Sequence, residues 1–216
     1  MGEQVQYILS YDPQIGVRAF LDDDESRVGG TLHGVPILRP DATTIQKLQD
    51  QGVSHGIVAS GSGRVRQRLS QRLEEWGFEI LSAIHPTAHI PPQAHLGKGA
   101  IVCPCVNLFY NPVIGNFVYL GPSVTVNHDN IIGDNVNLSG GCITGARVHV
   151  HKNVFIGIGA RVVPQDFGSL TVGEDAVVGT GAVVLKDVPK GAVVVGVPAK
   201  IIRYRAAEAT ETTAHQ

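Results

Sequence analysis

Residues 124–141 read VTVNHDNIIGDNVNLSGG, and an aliphatic residue returns at every sixth place, as Val126, Ile132 and Leu138. The same spacing holds on the N-terminal side at Ile84, Ile90, Leu96, Val102, Leu108, Ile114 and Leu120, and beyond it at Val150, Ile156 and Val162. Thr144 breaks the aliphatic rule. The series slips by four residues across PQDFGSLT (164–171) and resumes at Val172, Val178 and Val184. Small or branched residues recur four places after most anchors, among them Ala100, Val118, Val136, Ala160 and Ala182, and glycine often follows the anchor directly, as at Gly97, Gly115, Gly121, Gly133 and Gly145.

A period of six fits neither an amphipathic helix nor a half-buried strand, whose periods are 3.6 and 2. It predicts a solenoid of short strands joined by turns, in which anchors point into a shared core and glycine serves turns with unusual backbone angles. Three six-residue faces complete one coil. Residues eighteen apart then become neighbours in adjacent coils, about 4.8 Å from each other.

The totals set bounds on function. Charged residues make up 17% of the 216, the formal net charge is -2 and there are 26 glycines, so no basic field marks a nucleic-acid or membrane partner. The N-terminal MGEQVQYILSYD has no leader pattern and no apolar run reaches a bilayer-spanning length, which predicts a cytoplasmic chain. Cys103, Cys105 and Cys142 form neither a disulfide framework nor a zinc-finger pattern and are read as fillers of repeat positions.

Between about residue 84 and residue 203 the pattern resembles the hexapeptide-repeat acyltransferases. That resemblance implies a left-handed parallel β-helix, a homotrimer with active sites between subunits, and acetyl-CoA as co-substrate with no metal. The expected division is a front domain at 1–83, the β-helix at 84–203 and a disordered tail at 204–216.

Before the repeat, apolar strand-like runs alternate with polar helical ones. GVRAFLDDDE reads as a strand into an acidic loop, DATTIQKLQDQG as a helix capped by Asp41, and SHGIVAS as a buried strand. GRVRQRLSQRLEEWG then reads as a helix and FEILSAI as a strand entering the solenoid. This predicts a small α/β, Rossmann-like domain with one parallel sheet. FLDDD followed by LHGVPIL narrows the resemblance to sugar acetyltransferases of the PglD and NeuD type, which acetylate nucleotide-linked amino sugars or sialic acid. In that family the front domain begins with a strand and a glycine-rich loop that helps to hold the nucleotide, and neither precedes QVQYILS here. The resemblance places nucleotide contacts at Asp22 and Asp23, then at Ser62 and Arg66; a solvated acidic loop is the plain alternative.

The chemistry centres on NHD at 127–129. Acyl transfer from a thioester needs a base for the attacking amine, a donor for the oxyanion and a groove for the pantetheine arm. A neutral imidazole serves as base at cytoplasmic pH, and a neighbouring carboxylate orients it. NHD matches the family motif, which makes His128 the expected base and Asp129 its partner. Eighteen residues onward lies Ala146, so the backbone of Gly145 and Ala146 should pass one coil from the imidazole and offer an amide to the acyl carbonyl. The family typically has glycine at 146 and often histidine at 137, where this chain carries Asn137, an expected donor contact. Gly159, Ala160, Gly179 and Gly181 are the expected wall for the pantetheine, and Lys200, at the start of an expected terminal helix, the contact to a CoA phosphate. Loop 164–171 is either a cap over the donor groove or a tolerated insertion.

These readings make the chain an acetyl-CoA-dependent N-acetyltransferase of a nucleotide-linked amino sugar in polysaccharide or glycan synthesis. Acetylation of a sugar hydroxyl needs the same groups. A sugar-binding scaffold without catalysis and a metal-dependent enzyme of the β-helical carbonic anhydrase kind, using His149 and His151 with His128, are the readings from other classes.

Overall fold

The structure is a computed structural model in which residues 1–166 and 168–206 are described. The chain begins with α1 (Gly2–Leu9), followed by β1 (Phe20–Leu21), β2 (Thr31–Leu32), β3 (Val35–Leu38) and α2 (Ala42–Asp50). Next come β4 (His55–Gly56), α3 (Gly63–Glu75), β5 (Glu79–Ile80) and β6 (Ala83–Ile84). Asp41 caps α2 by accepting from the Thr44 amide at 2.8 Å, as its position in the sequence predicts.

A single parallel sheet is not formed in the front domain. β1 pairs in parallel with β3, which pairs antiparallel with β2, while β4 and β5 make a separate parallel pair. No ladder joins β1 to β4 among the described residues. A cleft of about 600 Å³ lies between the two sheets, lined by Ile15, Val17, Leu21, Ile57, Leu73 and Phe78. The cleft also explains why SHGIVAS is only partly a buried strand: Ile57 stays half-exposed along its border.

The solenoid starts at β6, one residue before the expected boundary, and has three faces. The first runs through Ala83–Ile84, Ile101–Val102, Tyr119–Leu120, Asn137–Leu138, Phe155–Ile156 and Val177–Val178 to Ala192–Val195. The second contains Asn107–Leu108, Thr125–Val126, Ile143–Thr144, Arg161–Val162 and Val183–Val184; the third contains His95–Leu96, Val113–Ile114, Ile131–Ile132, Val148–Val150 and Leu170–Val172. Adjacent coils pair in parallel at a separation of eighteen residues, as Val113 with Ile131 and Tyr119 with Asn137. Across the 164–171 loop the pairing steps to Val148 with Leu170, the four extra residues that the slip in the repeat predicts. Anchors such as Val102, Leu120, Leu138 and Ile156 are fully buried. Ile84, on the terminal coil, is exposed because only one neighbouring coil covers it.

The glycines after the anchors serve close approach and not unusual torsion angles. A Cβ on Gly121 would stand 2.6 Å from the Gly140 nitrogen, and one on Gly133 would stand 2.7 Å from the Lys152 nitrogen. The left-handed angles fall later in each turn, at Asp129 (φ 56°), Asn135 (64°), Asn153 (61°) and Gly141 (67°).

Several contacts fasten the front domain to the solenoid, and two of them are buried. Val5, Ile8 and Leu9 of α1 pack with Ala83, Ile101 and Cys103. From α3, the fully buried Arg66 donates to the Phe117 carbonyl through Nε (3.0 Å) and Nη2 (2.8 Å), to Ser60 O through Nη1 (2.8 Å) and to Asn137 Oδ1 through Nη2 (2.6 Å). Burial draws the guanidinium down to about 10, so it stays protonated at neutral pH. At the other end, Lys200–Tyr204 forms a strand antiparallel to Ala192–Val195 where a helix is expected. Its Ile201, Ile202 and Tyr204 favour the extended backbone. Residues 207–216 of the expected tail lie outside the described residues.

Candidate active site

His128 and Asp129 occupy the turn between the second and third faces, after the strand Thr125–Val126. The Asp129 amide donates to Tyr110 O of the preceding coil (3.1 Å), and His128 O accepts from the Arg147 amide of the next (3.1 Å). The turn is therefore fixed from both sides. Asp129 Oδ2 lies 2.9 Å from His128 Nδ1, and both side chains are 43% exposed. Because a carboxylate only accepts, Nδ1 carries the proton and the lone pair of a neutral ring sits on Nε2. The bond from His128, with a further one from Asn111 at 3.4 Å, holds the Asp129 carboxyl below the ordinary carboxylate range.

The eighteen-residue step from His128 to Ala146 holds, since the ladder pairs Thr125 with Ile143 and Val126 with Thr144. Gly145 and Ala146 thus lie one coil from the histidine turn, on the same edge of the prism. The 164–171 loop borders them: Arg147 Nε donates to Gly168 O (3.3 Å), and Ala146, Arg147, Val163, Pro164 and Asp166 line a recess of about 190 Å³.

Several expected positions fall elsewhere. Asn137 faces α3, accepting from Arg66 and donating to Gly61 O, so its amide is engaged in the domain junction. Arg66 is likewise sealed in that junction and cannot reach a nucleotide. Ser62 caps α3, where it accepts from the Val65 amide at 3.5 Å. Ala160 is fully buried and points into the core, so it cannot form a groove wall. Gly159, Gly179 and Gly181 follow strands of the first face and sit on the edge between the first and second faces, a different edge from His128. Lys200 is exposed on the last strand.

Asp22 and Asp23 border a cleft of about 530 Å³ with Ser60, Arg27, Arg72 and Trp76. Asp22 accepts from Arg27 Nη1 at 2.7 Å, and the Arg72 guanidinium lies 4.5 Å from the centre of the Trp76 ring. Ser60, Arg72 and Trp76 thus join the two expected aspartates at this cleft. Arg72 in the last turn of α3 and Trp76 at its C-cap are four apart, a spacing that places them on one side of the helix end. Among the described residues no group of three or more His, Cys, Asp or Glu side chains is arranged to hold a metal ion, and no helix is long and apolar enough to cross a membrane.

A three-sided parallel solenoid with a histidine–carboxylate pair on one edge defines the class of β-helical hexapeptide proteins. No family model matches the chain. The crystal structure of PerB from Caulobacter crescentus, in complex with CoA and GDP-perosamine, is 33% identical with a TM-score of 0.83 over 93% of this chain and 91% of that one. The acetyltransferase domain of PglB from Neisseria gonorrhoeae, in complex with acetyl coenzyme A, is 28% identical with a TM-score of 0.82 over 93% and 94%. The GDP-perosamine N-acetyltransferase of Escherichia coli O157:H7 is 36% identical over 145 residues, 66% of this chain and 65% of that protein. The chain thus spans just under two thirds of that curated relative. It belongs to the hexapeptide-repeat acetyltransferase family, and its solved neighbours include sugar N-acetyltransferases of the perosamine type. The parallel faces are consistent with the left-handed β-helix of that family.

Proposed function

We propose that the chain transfers the acetyl group of acetyl-CoA to the amine of a nucleotide-linked amino sugar, with His128 as general base. The observation that carries this reading is the His128–Asp129 pair, whose unprotonated Nε2 is left to face an incoming amine. The relatives bound to CoA and GDP-perosamine supply the substrate classes.

In the reaction the amine nitrogen attacks the thioester carbonyl and loses a proton to Nε2, while Asp129 stabilises the imidazolium through Nδ1–H. The Ala146 amide supports the oxyanion, since the Gly145 and Arg147 amides donate to Val162 O and His128 O. Collapse of the intermediate breaks the C–S bond, and the proton on Nε2 goes to the departing thiolate of CoA. The products are the N-acetyl sugar and free CoA. Asp22 and Asp23, with Ser60 and Trp76 beside them, hold the nucleotide.

The glycines proposed to line the donor arm and the histidine turn occupy different edges of one prism. This separation supports a trimer in which one subunit's His128 edge meets the glycine edge of its neighbour, with Lys200 toward the CoA phosphates. The setting proposed is cytoplasmic surface-polysaccharide or glycan synthesis.

Thiol release from acetyl-CoA is the test, run against UDP-, GDP- and dTDP-linked amino sugars and including GDP-perosamine. Turnover on one pair that collapses in His128→Ala supports the reading. Intact protein with no turnover on any acceptor and no CoA binding overturns it.

A further inference from the structure

The inner column that backs the histidine turn contains Ala94, Pro112, Asn130, Val148 and Leu170, the residues that successive coils place at one core position. Asn130 is its one polar member, and it is fully buried. An amide in an apolar column is costly unless it is bonded, so an aliphatic side chain is the choice that stability alone favours there.

Its bonds go to one place. Asn130 Nδ2 donates to Asn127 O at 2.7 Å, to His128 O at 3.2 Å and to Gly145 O at 2.8 Å. All three acceptors are carbonyls, which fixes the amide's orientation with nitrogen toward them. Two belong to the turn that carries the imidazole. The third belongs to the bend of the next coil, at the residue before Ala146. Thr144, the break in the anchor series, directly precedes Gly145 and is also fully buried. Both polar departures from the repeat pattern thus flank the same bend, and Asn130 Oδ1 and Thr144 Oγ1 are buried without hydrogen-bond partners among the described residues.

We infer that Asn130 is a positioning residue that clamps the His128 turn to the 145–147 bend and so sets the distance between the base and the amide that supports the oxyanion. This rests on the reading of His128 as base. A misplacement of about 1 Å in such a pair is enough to cost about 10²-fold in rate.

The test is a double-mutant cycle in the full chain with Asn130→Val, His128→Ala and the double variant, assayed with acetyl-CoA and the acceptor that the panel identifies. For Asn130→Val the expectation is KM values for both substrates within about twofold of wild type and kcat lower by about 10- to 100-fold, beyond any fall in Tm from the carbonyls left without their donor. In the His128→Ala background the same change should cost almost nothing, because the group being positioned is gone. Backbone exchange at Arg147, whose amide donates to His128 O, should quicken in Asn130→Val whether or not an acceptor is known. Asn130→Ala, read by the same cycle, serves if valine overfills the site. Wild-type kcat in the variant, an undiminished loss in the His128→Ala background, or unaltered Arg147 exchange each overturns the clamp while leaving the base reading intact. Full activity in His128→Ala is the separate outcome that removes the base reading itself.

Discussion

At position 128 the ring is one group, and its loss has one expected signature. His128→Ala should lower turnover by about 10²- to 10⁴-fold without a change in Tm, the range that general-base catalysis supplies; thiol release and a thermal melt check it. Asp129→Asn keeps the size of the side chain and tolerates the left-handed backbone (φ 56°), so any rate it loses reports the lost charge. The pH behaviour of Asp129 has a definite sign. Its folded carboxyl lies below the ordinary value, so its own contribution to stability is complete above about pH 5 and is lost only as pH falls through the lowered value. Melts of wild type and Asp129→Asn should therefore differ by a constant amount between pH 8 and 5, as far as the carboxyl's own titration goes, and converge only in stronger acid. The pair itself was legible in the sequence because adjacent His and Asp interrupt a structural repeat at the family's motif position. Asn130 beside it was not, since a buried asparagine and a turn asparagine look alike until its three carbonyl partners are known.

Two elements show how the fold tolerates change. The turn glycines divide by cause, and the substitutions should divide likewise. Gly121→Ala forces a methyl against the backbone of the neighbouring coil and should cost about 1–3 kcal/mol or more. Gly141→Ala meets open space and carries only the left-handed strain, about 1 kcal/mol. Urea denaturation of both variants distinguishes the two. The period in the sequence located the glycines that directly follow the anchors, Gly121 among them, but suggested the wrong reason for those, because a six-residue spacing does not reveal which turn position has positive φ. Arg66 was misread for a comparable reason. In sequence it follows a glycine–serine loop and resembles a ligand contact; in the structure it is the bolt between α3 and the first face. Arg66→Ala should lower the Tm sharply, since it leaves the carbonyls of Phe117 and Ser60 and the oxygen of Asn137 without their donor, each worth about 1–3 kcal/mol when stranded. Lysine, lacking the planar fork, should rescue only part of that loss.

Across the whole molecule, the solenoid was legible almost residue by residue, because two side chains in each six, the anchor and the residue four places on, must face the core. The front domain was less so: its helices and strands could be read locally, but the division into two sheets around a cleft is a tertiary property that no local pattern records. If the division of labour proposed above holds, Asp23→Ala should raise KM for the nucleotide sugar several-fold and leave KM for acetyl-CoA unchanged, as initial-rate kinetics on each substrate would reveal. The eighteen-residue register has a consequence for reach. Each coil advances the prism by one strand spacing, about 4.8 Å, so distance along an edge is counted in whole steps. Removing or duplicating eighteen residues shifts everything beyond the cut by one step and leaves each side chain on its own face. Removing six carries every later residue around to a different face. Such a scaffold can lengthen or shorten the span between two sites in fixed increments while the chemistry at each end stays as it was.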